Sequence, residues 1–276
     1  MPKDKSTAAL PHDERGDAMN SEVLTSVEGN MLRVTLNCPE KCNSLSRAVL
    51  LRLREVFERQ CGNDELALAV LSGAGDMSFA AGCGPGELEE VRSKEQACAL
   101  FNLGNLAFEA IRTFHVPVVA ALNGIALGGG AELAVACDVR IAAAHARIGF
   151  VQGTLNIPTA WGGGSDLAAI IGPARSLELL CSARVLSAAE AHAAGLVEAV
   201  AAEGEPFAAF VERFAAPWIK QRPQVMRAFK WQSAARKLGM ARADADLRDR
   251  ELFASAWCNG EHWQAAKDIL SKEIKR

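Results

Sequence analysis

Tyrosine is absent from the 276-residue chain. No mechanism that needs a phenol from this protein is therefore open to it. No run of lysine or arginine marks a nucleic-acid surface, and the net charge is −3 with a pI near 6.0. No apolar stretch reaches membrane-spanning length without glycine or charge, so a soluble, cytoplasmic protein without a membrane partner is expected. Met1 to Asn20 lacks the apolar core of a signal peptide, and its acids are foreign to a transit peptide. It reads as a disordered tail. The eight cysteines, at 38, 42, 61, 83, 98, 137, 181 and 258, show no zinc-site pairing. Buried thiols in a reducing compartment, with no metal, are the expectation. There is no internal repeat.

What is present is apolar. Half of the residues are hydrophobic, enough for one large domain or a domain with a helical appendage. The stretch that organises the rest is Ile125-Ala126-Leu127-Gly128-Gly129-Gly130-Ala131-Glu132-Leu133. Glycines ahead of a helix let a ligand approach backbone N–H groups, and a helix N-terminus favours negative charge. A carboxylate, Glu132, stands beside those donors.

The remaining pattern alternates strand and helix, which implies an α/β core. Val23 to Val27 and Met31 to Leu36 read as a hairpin around Glu28-Gly29-Asn30. Val49, Leu50, Leu53, Val56 and Phe57 recur at helical spacing after Ser46. Leu66–Leu71, Val118–Leu122 and Val139–Ala142 read as buried strands. Phe79–Gly86 reads as a second glycine-rich loop leading into a polar helix around Glu87 to Arg92, and Ala97–Arg112 as a further helix. The segment from Ala131 to near Asp138 predicts a helix. Ile148–Gly164 shows no periodicity and reads as one long loop. Ser187 and Glu190 have capping-box spacing. Beyond Pro206 the pattern is helical, with a break at Pro223. The implied organisation is a tail over 1–20, a core over 21–205 and a helical region over 206–276.

Asn43-Ser44-Leu45, Phe79-Ala80-Ala81-Gly82-Cys83, Ile125 to Asp138, Ile148 to Gly163 and Ala188 to Val200 together resemble the crotonase (enoyl-CoA hydratase/isomerase) superfamily. The resemblance runs from Val23 to Lys275. It implies the crotonase (ClpP-like) class of α/β fold, a spiral of ββα turns with a helical C-terminal trimerisation region. It also implies a homotrimer or hexamer and an acyl-CoA thioester substrate, with CoA as part of the substrate and no separate cofactor. The positions matching the family's oxyanion hole are the backbone N–H groups of Cys83 and Gly129. Negative charge gathers on the thioester oxygen as an enolate forms, and a fixed donor is worth about 3 kcal/mol there. The Cys83 thiol is incidental to that role. Lys41, Asn43, Ala81, Gly82, Gly128 and Trp161 match positions near the substrate. Lys230 and Lys272 are further candidates for contact with the CoA phosphates.

Two departures from the family pattern matter. Hydratases of the family pair Glu132 with a second glutamate in a Pro-Glu step, but here that step is Val151-Gln152. A glutamine exchanges hydrogen bonds but takes no proton at neutral pH, whereas hydration needs one group to activate water and another to protonate carbon. The other departure is Gly84, where an aspartate is common. Phe150-Val151-Gln152 and Ala160-Trp161-Gly162-Gly163 resemble a branch that includes ethylmalonyl- and methylmalonyl-CoA decarboxylases. There carbon dioxide leaves to give the enolate and no strong base is required. Decarboxylation of a short substituted malonyl-CoA is the leading expectation. An enoyl-CoA hydratase or isomerase with one catalytic glutamate replaced is the alternative. A non-catalytic CoA-binding or assembly protein comes third, although such a protein has no need of Glu132.

Overall fold

The computed structural model describes residues 22–237 and 239–273, so the tail expected over Met1–Asn20 lies outside the described residues. The described residues begin with β1 (Val23–Glu28) and β2 (Met31–Leu36), antiparallel across Gly29 at φ 61°. That is the hairpin the sequence predicts. α1 (Arg47–Gln60) starts at Ser46, whose Oγ accepts from the Val49 N–H. It buries Val49, Leu50, Leu53, Val56 and Phe57, the positions whose spacing announced it.

Three further turns follow. The first has β3 (Leu68–Gly73), β4 (Ser78–Ala80), α2 (Pro85–Glu90) and α3 (Lys94–Arg112). The second has β5 (Val118–Leu122), β6 (Ile125–Leu127) and α4 (Gly129–Ala136). The third has β7 (Val139–Ala142), β8 (Arg147–Gly149), a 3-10 turn over Val151–Leu155, α5 (Gly163–Ile171) and α6 (Pro173–Ser182). β9 (Val185–Ser187), α7 (Ala188–Ala193) and β10 (Ala199–Val200) lead to α8 (Phe207–Ile219), α9 (Pro223–Lys237), α10 (Arg242–Trp257) and α11 (Gly260–Glu273).

Each of these turns gives its first strand to a six-stranded sheet, β1-β2-β3-β5-β7-β10, and its second to a four-stranded sheet, β4-β6-β8-β9. All pairs are parallel except β1–β2 and β8–β9. The larger sheet is covered on both faces, which is why its strands read as continuous apolar runs. Leu32, Val34, Ala69, Leu71 and Ala120 join the main core with α1, α3 and α4. Met31, Leu68, Val70, Val119, Ala121 and Ile141 pack under Phe210, Val211 and Ala215 of α8.

The smaller sheet positions the site. β4, β6 and β8 lie side by side and parallel, so the segments leaving their carboxyl ends emerge together, where open α/β sheets bind ligands. Those segments are Ala81-Gly82-Cys83, Gly128-Gly129 and Phe150 to Gln152.

Several boundaries differ from the sequence reading. Ile125–Leu127 is a strand and α4 begins at Gly129 rather than Ala131, ending at Ala136. The 148–164 segment holds a strand end, a 3-10 turn and the start of α5 rather than one loop. Three-residue strands are too short to show alternation, and a 3-10 turn has no 3.6-residue period. Ser78–Ala80 is likewise a strand, running into the start of the loop expected from Phe79. α3 starts at Lys94 through a Ser93–Gln96 capping box. The break expected at Pro223 is present: α8 ends at Ile219 and Pro223 opens α9, where a first-turn proline gives up no bonded N–H. The predicted Ser187–Glu190 capping box is present.

No disulfide joins any of the eight cysteines, but only Cys38 and Cys137 are buried. Cys42, Cys61, Cys98, Cys181 and Cys258 are exposed, on loops and outer helix faces that composition alone does not reveal. Among the described residues no helix is long and apolar enough to cross a membrane.

Candidate active site

The two glycine-rich segments meet at Gly82 and Gly129. Gly82 adopts φ 79°, and a Cβ there would lie 2.9 Å from the Gly129 backbone N and 3.0 Å from the Leu127 carbonyl O. Only a residue without a side chain takes this backbone conformation at this distance without strain. Leu45 N–H donates to the Gly82 carbonyl and Ala81 N–H to the Cys42 carbonyl, which ties this loop to the one ahead of α1. Gly129 is the first residue of α4, so its N–H has no acceptor within the helix. Gly128, at φ 55°, turns the chain into the helix and donates to the Gly149 carbonyl of β8. Cys83 is half-buried beside this junction.

Glu132 sits in the first turn of α4, 2 % exposed. Its carboxylate accepts four hydrogen bonds. Trp161 N–H at 2.8 Å and Gly163 N–H at 3.0 Å bond to Oε2. Gln152 Nε2 at 2.7 Å and Ala160 N–H at 3.2 Å bond to Oε1. Burial pushes the Glu132 carboxyl above its ordinary value. The bonds from Trp161, Ala160, Gly163 and Gln152 favour the carboxylate and pull the other way, but burial prevails.

Gln152, 8 % exposed, therefore lies in direct contact with Glu132, where the sequence places a replaced second acid. Its Oε1 is buried without a partner among the described residues. Trp161 is a core side chain, 3 % exposed and edge-on to Phe108 at 5.3 Å. It also faces the site, since a Cβ on Gly129 would lie 2.6 Å from its ring.

Two candidates behave differently from expectation. The Asn43 side chain is spent on the protein itself. Its Oδ1 accepts from Cys38 N–H at 3.0 Å, and its Nδ2 donates to the Ala74 carbonyl at 3.0 Å and the Ser78 carbonyl at 2.7 Å. It knots the loops around β4 and offers no side-chain group to a ligand. Lys230 is also committed, with Nζ 2.6 Å from both carboxylate oxygens of Asp138, so it does not reach outward to phosphates. The Lys272 side chain lies outside the described residues. Lys41 is exposed at the end of a 3-10 turn near the Cys42–Ala81 bond.

His145 and His192 are exposed, as expected, and His115 Nε2 donates to the Asn63 carbonyl at 3.0 Å. None of the three touches Glu132. A cavity of about 940 Å³ under α9, α10 and α11 is lined by His115, Lys230, Trp231 and Arg112, and not by Glu132, Gln152 or Cys83.

The sequence reading missed Arg112 and Asp166. They pair at 2.8 Å behind the 160–163 loop. No local signal could have found them, because they lie 54 residues apart.

Residues 26–264 match the enoyl-CoA hydratase/isomerase family model. A short-chain-enoyl-CoA hydratase of Clostridium acetobutylicum is 35 % identical over 185 residues, covering 67 % of this chain and 70 % of that one. A crotonyl-CoA hydratase of Syntrophomonas wolfei is 34 % identical over 178 residues, covering 64 % and 68 %. The crystal structure of an enoyl-CoA hydratase from Bacillus anthracis superimposes with a TM-score of 0.84 at 27 % identity, covering 91 % of this chain and 96 % of that one. DspI of Pseudomonas aeruginosa gives 0.84 at 26 % identity, covering 95 % and 98 %. The ββα spiral, the meeting of the two glycine-rich segments and these likenesses agree: the chain belongs to the enoyl-CoA hydratase/isomerase family of the crotonase superfamily.

Proposed function

We propose that this member of the family decarboxylates a short substituted malonyl-CoA. The observation that carries the reading is the Glu132–Gln152 contact, with Gln152 Nε2 2.7 Å from the Glu132 carboxylate. One acid and one amide stand where hydration calls for two acids. In the proposed reaction the bond between the α-carbon and the free carboxylate breaks. Its electron pair passes into the thioester as an enolate, whose oxygen is held by the Cys83 and Gly129 N–H groups. Glu132, its carboxyl raised by burial, then supplies the proton to the α-carbon and regains one from solvent. Trp161 forms an apolar wall beside Gly129. The substrate carries its own CoA, bound past Lys41, Ala81, Gly82 and Gly128. The assembly is a homotrimer or hexamer.

A second reading, hydration of a short enoyl-CoA, is favoured by the relatives at 34–35 % identity that are named hydratases. One assay separates the two: carbon dioxide release from methylmalonyl- and ethylmalonyl-CoA against hydration of crotonyl-CoA. Release with little hydration supports decarboxylation. Brisk hydration with no release overturns it. Under the decarboxylase reading Gln152→Glu raises hydration by about 100-fold, the scale of one acid–base group. If Glu132→Ala leaves all turnover unchanged, neither enzymatic reading stands.

A further inference from the structure

The Glu132 carboxylate is held from outside its own helix. Ala160, Trp161 and Gly163 all point their N–H groups at it. A short loop keeps three donors converging only if its carbonyls are fixed on the opposite side. Asn105 Nδ2 holds the Ala160 carbonyl at 3.2 Å and the Asp166 N–H holds that of Gly162 at 3.0 Å, and Arg112, the last residue of α3, holds the Trp161 carbonyl between them. Its Nη2 donates to the Trp161 carbonyl at 2.5 Å, and its Nε donates to Asp166 Oδ2 at 2.8 Å.

The Trp161–Gly162 peptide lies between the two peptides that donate to Glu132 Oε2. Pinning its carbonyl away from Glu132 turns both neighbours toward the carboxylate. Asp166 stands in the first turn of α5, the helix that this loop feeds, so one guanidinium grips the loop and the helix after it. The guanidinium is seated against the loop itself: a Cβ on Gly162 would come within 2.6 Å of Nη2. Both side chains are largely withdrawn from water, Arg112 at 11 % and Asp166 at 8 % exposed. α3 is a firm base for the clamp, with Ala107, Phe108 and Ile111 buried.

We infer that Arg112, seated by Asp166, is a positioning residue for Glu132, acting through the Trp161 carbonyl to hold the converging N–H groups. The inference rests on the proposed reading that Glu132 is the acid of the site. A lysine does not replace the planar fork, because one ammonium cannot meet both acceptors with the same geometry. On the elements packed against α4, the charged side chains are Lys94, Glu95, Glu109 and Arg112 of α3, Asp166 of α5 and Arg140 of β7. β4 and β6 contribute none.

The test reads the Glu132 titration directly, by NMR of carboxyl-labelled glutamate in the full chain, assigned with Glu132→Gln. Positioning predicts that Arg112→Met and Asp166→Asn both move the titration upward by about 0.5–1 pH unit, since each loosens bonds that favour the carboxylate. A purely Coulombic influence predicts opposite signs, because Asp166→Asn removes a negative charge and lowers the titration. Opposite signs, or no movement in either variant, overturn the inference. If Arg112→Met does not fold, Arg112→Lys and Asp166→Asn carry the same comparison, and an upward shift in both supports it. In turnover, kcat falls about 10-fold with KM nearly unchanged. If no thioester is turned over at all, the proposed function fails while the titration still decides the role of Arg112.

Discussion

Glu132 brings two opposing effects onto one side chain. Burial disfavours its charge, and four hydrogen bonds favour it, with burial the larger. A carboxyl whose folded value is raised binds its proton more tightly in the fold than in the unfolded chain. The associated stability is complete below the unfolded value and is lost as the pH rises through the folded one. Wild type should therefore lose stability relative to Glu132→Gln as the pH climbs from the ordinary glutamate value of 4.5 into the raised range, and the difference should then level off. Inside that window the slope reaches at most about 1.4 kcal/mol per pH unit. Urea unfolding of both proteins between about pH 4 and about pH 8 measures it. Wild type gaining stability relative to Glu132→Gln as the pH rises would mean that the hydrogen bonds outweigh burial. The residue itself was legible, because a carboxylate just after three glycines at a helix start is a local pattern. The Asn43 knot was not, since its partners Ala74 and Ser78 lie 31 and 35 positions away.

At the scale of elements, α9 is docked by a buried ion pair. Lys230 is 5 % exposed and chelates Asp138 at 2.6 Å, while Asp138 Oδ2 also accepts from the Val118 N–H at the start of β5. Lys230→Met leaves the partly buried Asp138 carboxylate without its cation and should cost about 3 kcal/mol in urea unfolding. Adding Asp138→Asn to that variant should recover part of the loss, because the uncompensated charge is then gone. No recovery would show that packing of the lysine stem, rather than charge pairing, seats the helix. Lys230 and Asp138 lie 92 positions apart, which is why the sequence offered the lysine to phosphates instead. The long elements were readable for the opposite reason. α1 and β5 carry their own period or apolar run, and Ser187–Glu190 writes its cap within four residues. The three-residue strands β4, β6 and β8 carry no such pattern. Yet their parallel pairing is what brings the site loops together.

Across the whole molecule, apolar surface is distributed unevenly. The spiral buries its hydrophobic residues in two clusters on the faces of the larger sheet. The last two helices do the reverse: α10 buries no residue. Leu247, Phe253, Trp257, Trp263, Ile269 and Leu270 are all about half exposed or more, Phe253 reaching 63 %. Phe253, Trp257 and Trp263 gather where α10 meets α11, with ring centroids 5.4 and 5.9 Å apart. Scattered apolar side chains on a surface need no account, but a cluster of exposed aromatic rings at a helix junction marks a contact surface. In the proposed homotrimer or hexamer that face would be covered by other copies of the chain. Light scattering behind size exclusion should therefore give three or six times the 29.4 kDa chain mass. Phe253→Asp combined with Leu270→Asp should shift the protein toward a single copy, because a charge buried in an interface costs more than a stable contact can spare. The exposed positions leave the spiral core untouched, so circular dichroism of the double variant should retain the wild-type signal. A wild-type chain that runs as one copy at every concentration would remove the oligomer from the proposal and leave the face to a different partner.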